Sequence, residues 1–297
     1  MTKKTLTILL ACALIVANIA VFACNNSSQQ ESKTQESADL VAVNDQDSVD
    51  NSNSVEQEAT QTEAIPKGAS ILIKCYPDFV KGYKDGKLIM SDGSSIVYDD
   101  GKKKSFEQKL DDADLEDMFA FKYDRKVAQP EYLQDAGRSR CEEFFKKMYG
   151  ASASQVRSKL VSVDWIGEKV QFTKVNGADK KLKAVAEDLK KLPKYKEYLN
   201  KNYFKSEGTF YWRKVRGANR QSAHSYGMTI DIGGNYKSYW LWANPKATET
   251  SKCKYENKIP LDIVEVFEKH GFVWGGRWYH YDTMHFEYRP EILMDNP

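Results

Sequence analysis

The chain has 297 residues, enough for one large domain or two small ones, and its 41% hydrophobic and 12% aromatic content permits a substantial core. The formal charge of +2 hides an asymmetry: the first 24 residues carry two lysines, residues 25–65 carry nine acids against Lys33 alone, and residues 66–297 therefore hold a surplus of eight positive charges. The five cysteines contain no Cys-x-x-Cys pair, which argues against a cysteine zinc knuckle, while the basic surplus suits either an anionic partner or a merely solvated surface.

Met-Thr-Lys-Lys places positive charge ahead of an apolar run that ends in Val21-Phe22-Ala23-Cys24. Such a run reads as an export signal. Its ending resembles a bacterial lipobox, which implies cleavage before Cys24 and acylation of that thiol. An ordinary secretory cleavage and an uncleaved anchor are the alternatives, and all three export the body. Residues 25–65 contain no aromatic side chain and are rich in Ser, Gln, Asn, Asp and Glu. They bury too little apolar surface to offset chain entropy, so a disordered acidic tether is expected, reaching on the order of 35 Å.

Order is predicted to begin near Ile65. ASILIKCY reads as a strand, and KGYKDGKLIMSDGSSIVYDDGKK as short strands broken by Asp-Gly turns. The early acids of DDADLEDMF predict a helix start. SRCEEFFKKMYG predicts a helix closed by Gly150, and SASQVRSKLVSV a second one opened by serine. KVQFTKVNGADKKLKAVAEDLKKL predicts a strand, an Asn-Gly turn and an amphipathic helix. Thr209–Val215 alternates as a strand, and Met228–Ile232 and MHFEYR read as two more. Between them, IPLDIVEVFEKHG is a helix with Gly271 just past its end. Strands and helices mix without a regular βαβ period, so the expected class is α+β, a small mixed or antiparallel sheet with flanking helices.

All four histidines, His224, His270, His280 and His285, lie in the last quarter of the chain, and five of the six tryptophans lie between Trp212 and Trp278. Imidazole and carboxylate are the ligands of catalytic zinc, so His224, Asp231 and His285 form a candidate set, with Gly227 permitting a tight turn between the first two. In the strand MHFEYR, a period of two puts His285, Glu287 and Arg289 on one face. Asp282, three residues before His285, is placed to act as a general base.

These residues carry a resemblance. SAHSYGMTID, residues 222–231, matches the S-x-H-x-x-G-x-[AT]-x-D signature of zinc D-alanyl-D-alanine carboxypeptidases. GFVWGGRW followed by DTMHFE resembles the closing motif of VanY-like carboxypeptidases and phage L-alanyl-D-glutamate endopeptidases. The resemblance covers roughly residues 209–291. It implies the α+β fold shared with hedgehog signalling domains, one zinc ion on His224, Asp231 and His285, and Asp282 as the base. It further implies an oxyanion-stabilising arginine, for which Arg213 is the candidate, with Arg216 and Arg220 kept in play. Residues 66–208 match no such motif and either complete the fold or form an accessory lobe.

Other residues have plainer readings. Ser222 is expected to shape the loop, and His270 to sit structurally at a helix end. His280 and Trp278 are candidates for supporting the site or contacting substrate. Arg220, Arg277 and Lys237 are the candidates for clamping a substrate carboxylate. At most one disulfide can form among Cys75, Cys141 and Cys253. The expected protein is an exported, membrane-tethered zinc peptidase acting on peptidoglycan stem peptides, as carboxypeptidase or endopeptidase. A wall-binding lipoprotein that catalyses nothing is the alternative. Nucleic acid is not an expected partner, because export and the lack of a recognition motif argue against it.

Overall fold

The computed structural model describes residues 64–127 and 129–296. The apolar leader, Cys24 and the acidic stretch up to Glu63 lie outside the described residues. In chain order the elements are α1 (Lys67–Cys75), β1 (Val80–Lys84), β2 (Lys87–Met90), β3 (Ser95–Val97), α2 (Phe106–Asp111), α3 (Glu142–Tyr149), α4 (Ala153–Arg157), β4 (Leu160–Trp165) and β5 (Glu168–Thr173). Then come α5 (Ala178–Leu189), α6 (Tyr195–Asn200), β6 (Thr229–Asp231), α7 (Trp240–Ala243), α8 (Leu261–Lys269), β7 (Phe272–Trp274), β8 (His285–Tyr288) and α9 (Pro290–Asp295). The class is α+β, as expected. The strands form three small antiparallel sheets, ordered β1-β2-β3, β4-β5 and β6-β8-β7.

Three local expectations are corrected. ASILIKCY is the helix α1 and not a strand. Its buried positions, Gly68, Ala69, Ile71, Leu72 and Cys75, follow a helical period, and Pro66 stands at its start. The run Ile71-Leu72-Ile73 looks like a buried strand only when read without its flanks. DDADLEDMF does not start an α-helix. The helix lies upstream as α2, opened by a reciprocal capping box between Ser105 and Gln108. The acids instead surround the buried ammonium of Lys104, at 3.2 Å from Asp100, 3.0 Å from Asp114 and 2.7 Å from Asp117. A buried lysine needs such partners, and they hold the segment in a turn. Thr209–Val215 is not a strand either: its backbone meets a turn, with the N–H of Tyr211 donating to His224 O at 3.2 Å and that of Arg213 to Ser225 Oγ at 2.9 Å.

The remaining elements follow their sequence signals. Asn176 (φ 53°) and Gly177 (φ 69°) make the turn into α5, and α3 stops at Gly150. α4 is opened by the Ser152 hydroxyl, which accepts from the Gln155 N–H, and LVSV leaves it to become β4. One apolar core runs through both parts of the described chain, joining Leu72 of α1 and Phe144 of α3 to Trp165, Phe267 and Phe286. Phe267 stacks on Phe286 with ring centroids 3.9 Å apart, which anchors α8 against β8. The thiols of Cys75, Cys141 and Cys253 are free.

Candidate metal centre and cleft

The sheet β6-β8-β7 brings the distant motifs together. Antiparallel register sets Asp231, at the end of β6, opposite His285, at the start of β8. His224 sits on the 3₁₀ turn Ala223–Tyr226, which closes at Gly227 with φ 65°. That left-handed backbone favours glycine, and a Cβ there would come 2.5 Å from a methyl of Leu160. Ser222 precedes the turn and fixes it through its backbone, whose N–H donates to Arg213 O at 3.0 Å.

His224, Asp231 and His285 offer donor atoms that all lie within 4.8 Å of one another. His224 Nε2 is 3.2 Å from Asp231 Oδ2, and His285 Nδ1 is 3.1 Å from Asp231 Oδ1. The outer nitrogen of each ring is committed. His224 Nδ1 lies 3.0 Å from the carbonyl of Thr209 and 2.9 Å from the Thr229 hydroxyl, and a proton on Nδ1 donated to that carbonyl leaves Nε2 its lone pair. His285 Nε2 lies 3.2 Å from Glu287 Oε2. Glu287 is fully buried and is held by Arg289 at 2.9 Å and Arg140 at 3.6 Å. Burial alone would raise its carboxyl, but Arg140, His285 and Arg289 bring it down to about 2. An ionised Glu287 accepts a hydrogen bond from the Nε2–H, and Nδ1 is turned to Asp231. Pinning the outer nitrogen is how proteins orient metal-binding histidines.

The electrostatics fit a cation at this place. Burial pushes the Asp231 carboxyl up, yet His224 and His285 hold it far below the usual range. Burial would lower His285, but its hydrogen bonds to Asp231 and Glu287 raise it to about 10. Without metal, a positive imidazolium therefore sits among the carboxylates where an ion's charge would be. Asp282 behaves oppositely: burial first, then the Asp231 charge, raises it to about 6. Its Oδ1 is buried with no hydrogen-bond partner among the described residues. Asp282 is placed by its backbone N–H, which donates to Gly275 O at 3.0 Å, and a Cβ on Gly275 would collide with the Asp282 carbonyl.

The triad and Asp282 line one cleft of about 440 Å³. Arg213 lies on its exposed rim, its guanidinium turned to the carbonyl of Lys214 at 3.4 Å. Arg220 lines the cleft, but Asp111 and Glu249 engage its guanidinium. Trp278 lines the cleft with its ring centroid 5.4 Å from that of His285, and Trp242 stands 56% exposed there. His280 also lines it. His270 is remote and structural, 2.9 Å from Asp188. Two carboxylate-clamp candidates are corrected: Arg277 is buried on Glu268 at 2.6 Å, Lys237 is paired with Glu207, and neither lines the cleft. Their partners, not exposure, decide their roles.

Sequence reasoning missed Arg138 and Arg140, which line the cleft from the segment before α3, and the acids Asp135 and Glu249 that they or their neighbours bind. The Arg140 side chain is 9% exposed and is bonded to the carbonyls of Gly137 at 3.0 Å and Gln221 at 3.2 Å. The alternation Arg-Ser-Arg after Gly137 was the one local signal.

An α+β fold carrying a largely buried His-Asp-His donor set beside a carboxylate with an unpaired oxygen defines a candidate mononuclear hydrolase centre. Residues 216–288 match the family model described as D-alanyl-D-alanine carboxypeptidase. Comparisons with curated proteins and with solved structures return no match.

Proposed function

We propose that the protein is a zinc-dependent peptidase that hydrolyses a peptide bond in the stem peptide of peptidoglycan. The observation that carries this reading is the convergence of His224 Nε2, Asp231 and His285 Nδ1, each outer nitrogen pinned, beside an Asp282 carboxyl raised to about 6. Zinc held by those three residues would supply a Lewis acid that acidifies water and polarises the scissile carbonyl. Asp282, poised near neutrality with its Oδ1 unpaired, takes the proton of the attacking water and returns it to the leaving amine. Arg140 presents a largely enclosed guanidinium, held mainly by neutral carbonyls, to the developing oxyanion. Arg213, on the rim, is assigned to the anionic substrate and not to the oxyanion. The exposed Trp242 offers a ring face at the cleft mouth. Export and tethering through Cys24 would place the enzyme at the wall. Mass spectrometry of muropeptides incubated with the purified protein identifies the bond cut, since a D,D- or L,D-carboxypeptidase and an L-Ala-D-Glu endopeptidase leave different masses. Absence of any new amine terminus, with zinc bound, would instead favour the wall-binding module.

A further inference from the structure

A second cluster of titratable side chains lines the same cleft and has no part in the chemistry above. The His280 side chain is fully buried, and its Nδ1 lies 2.6 Å from Asp135 Oδ2. The His280 backbone N–H donates to the other oxygen of Asp135 at 3.0 Å. Asp135, itself fully buried, also accepts from Arg138 at 2.6 Å, and Arg138 forks onward to Glu249 at 2.9 and 2.7 Å. The donors of Asp135, Glu249 and His280 lie close enough for a metal ion, but the Arg138 guanidinium already bridges the two carboxylates. The cluster therefore already holds its cation.

What remains open is the far side of the imidazole. Burial pushes the Asp135 carboxyl up, but Arg138 and His280 bring it below the usual range, so it accepts and does not donate. His280 Nδ1 must then carry the proton, and in the neutral ring Nε2 is a bare acceptor. That Nε2 is buried and has no hydrogen-bond partner among the described residues, although His280 lines the cleft. Trp240 (centroid distance 4.5 Å), Tyr279 (5.0 Å) and Phe106 (5.8 Å) pack around the ring and fix its plane. An acceptor left unpaired in the interior is costly, and a bound donor would recover that cost. A carbonyl or carboxylate cannot satisfy it. A peptide N–H can.

We propose that His280 is a substrate-binding residue whose Nε2 accepts a hydrogen bond from a backbone N–H of the bound peptide, and that Asp135 is the positioning residue that sets its tautomer. The proposal rests on the peptidase reading and adds to it a named contact on the peptide itself. The probe is the synthetic, sugar-free stem pentapeptide L-Ala-γ-D-Glu-L-Lys-D-Ala-D-Ala, so a glycan hydroxyl cannot serve as the donor. Its affinity is measured by calorimetry for the zinc-loaded full chain carrying Asp282→Asn, with and without His280→Phe. The second substitution should raise Kd roughly five- to tenfold. With Asp282 intact, His280→Phe should raise KM more than it lowers kcat. Nitrogen-15 NMR of the unsubstituted chain, which has four histidines, should show a protonated Nδ1 and a bare Nε2 at His280, with Nε2 shifting when the peptide is added. In Asp135→Asn the two nitrogens should lose that clean assignment. A proton resident on Nε2, or Kd and KM unchanged in His280→Phe, would overturn the proposal. Wild-type cleavage with equal cleavage by His280→Phe sinks this contact alone. A wild-type chain that neither binds nor cleaves the peptide sinks the peptidase reading and this contact with it.

Discussion

Asp282→Asn separates the two things this side chain does. The amide keeps the shape of the carboxyl and removes its charge. In the metal-free protein, burial and the Asp231 charge raise Asp282 from the usual aspartate range to about 6. Its folded value lies above its unfolded one, so its contribution to stability is fully present below about pH 4 and is lost as pH rises through about 6. That rise corresponds to about 3 kcal/mol of penalty for ionising it in the folded state. The asparagine variant has no such penalty. Its stability relative to wild type should therefore grow by up to about 3 kcal/mol between pH 4 and pH 7. Urea unfolding followed by tryptophan fluorescence, with chelator present, measures this at both pH values. A relative stability that does not change with pH, or wild type gaining on the variant at pH 7, would refute the raised Asp282 carboxyl. With zinc restored, the same variant should bind the ion stoichiometrically and turn over no peptide.

Other substitutions probe the frame around that group. Gly227→Ala should destabilise the protein by about 2–3 kcal/mol, from its positive φ and the overlap with Leu160, and should weaken zinc binding by moving His224, as thermal unfolding and metal titration would report. Glu287→Gln should lower zinc affinity by roughly 10- to 100-fold, because a neutral amide no longer fixes the proton on His285 Nε2; chelator competition measures it. Arg140→Gln should cut kcat by about 100-fold or more with zinc content unchanged, whereas Arg213→Gln should act mainly on KM. The reverse pattern would return the oxyanion role to Arg213.

The donor set was legible because its signals are local. His224, Gly227 and Asp231 fall within eight residues, and Asp282, His285 and Glu287 within six, so period and turn chemistry place each group with little help from the rest of the chain. The walls of the cleft were not legible for the opposite reason. Arg138 meets Glu249 across 111 residues, and Asp135 meets His280 across 145. No spacing rule spans such distances, and Arg-Ser-Arg alone looks like a solvated run. The helix at Lys67–Cys75 was hidden by its three consecutive branched or long apolar side chains, and the segment 209–215 by an alternation that serves a turn and not a ladder. In both, the tertiary partner overrode the local pattern.

The central claim is that one zinc ion on His224, Asp231 and His285 makes this chain a peptidase. The direct test is to strip the purified protein with chelator, return zinc in measured steps, and follow amine release from stem peptide. Activity should vanish on stripping and recover linearly to a plateau at one zinc per chain, and should not recover in His224→Ala. Full cleavage by the stripped protein, or no cleavage with one zinc bound, would contradict the account.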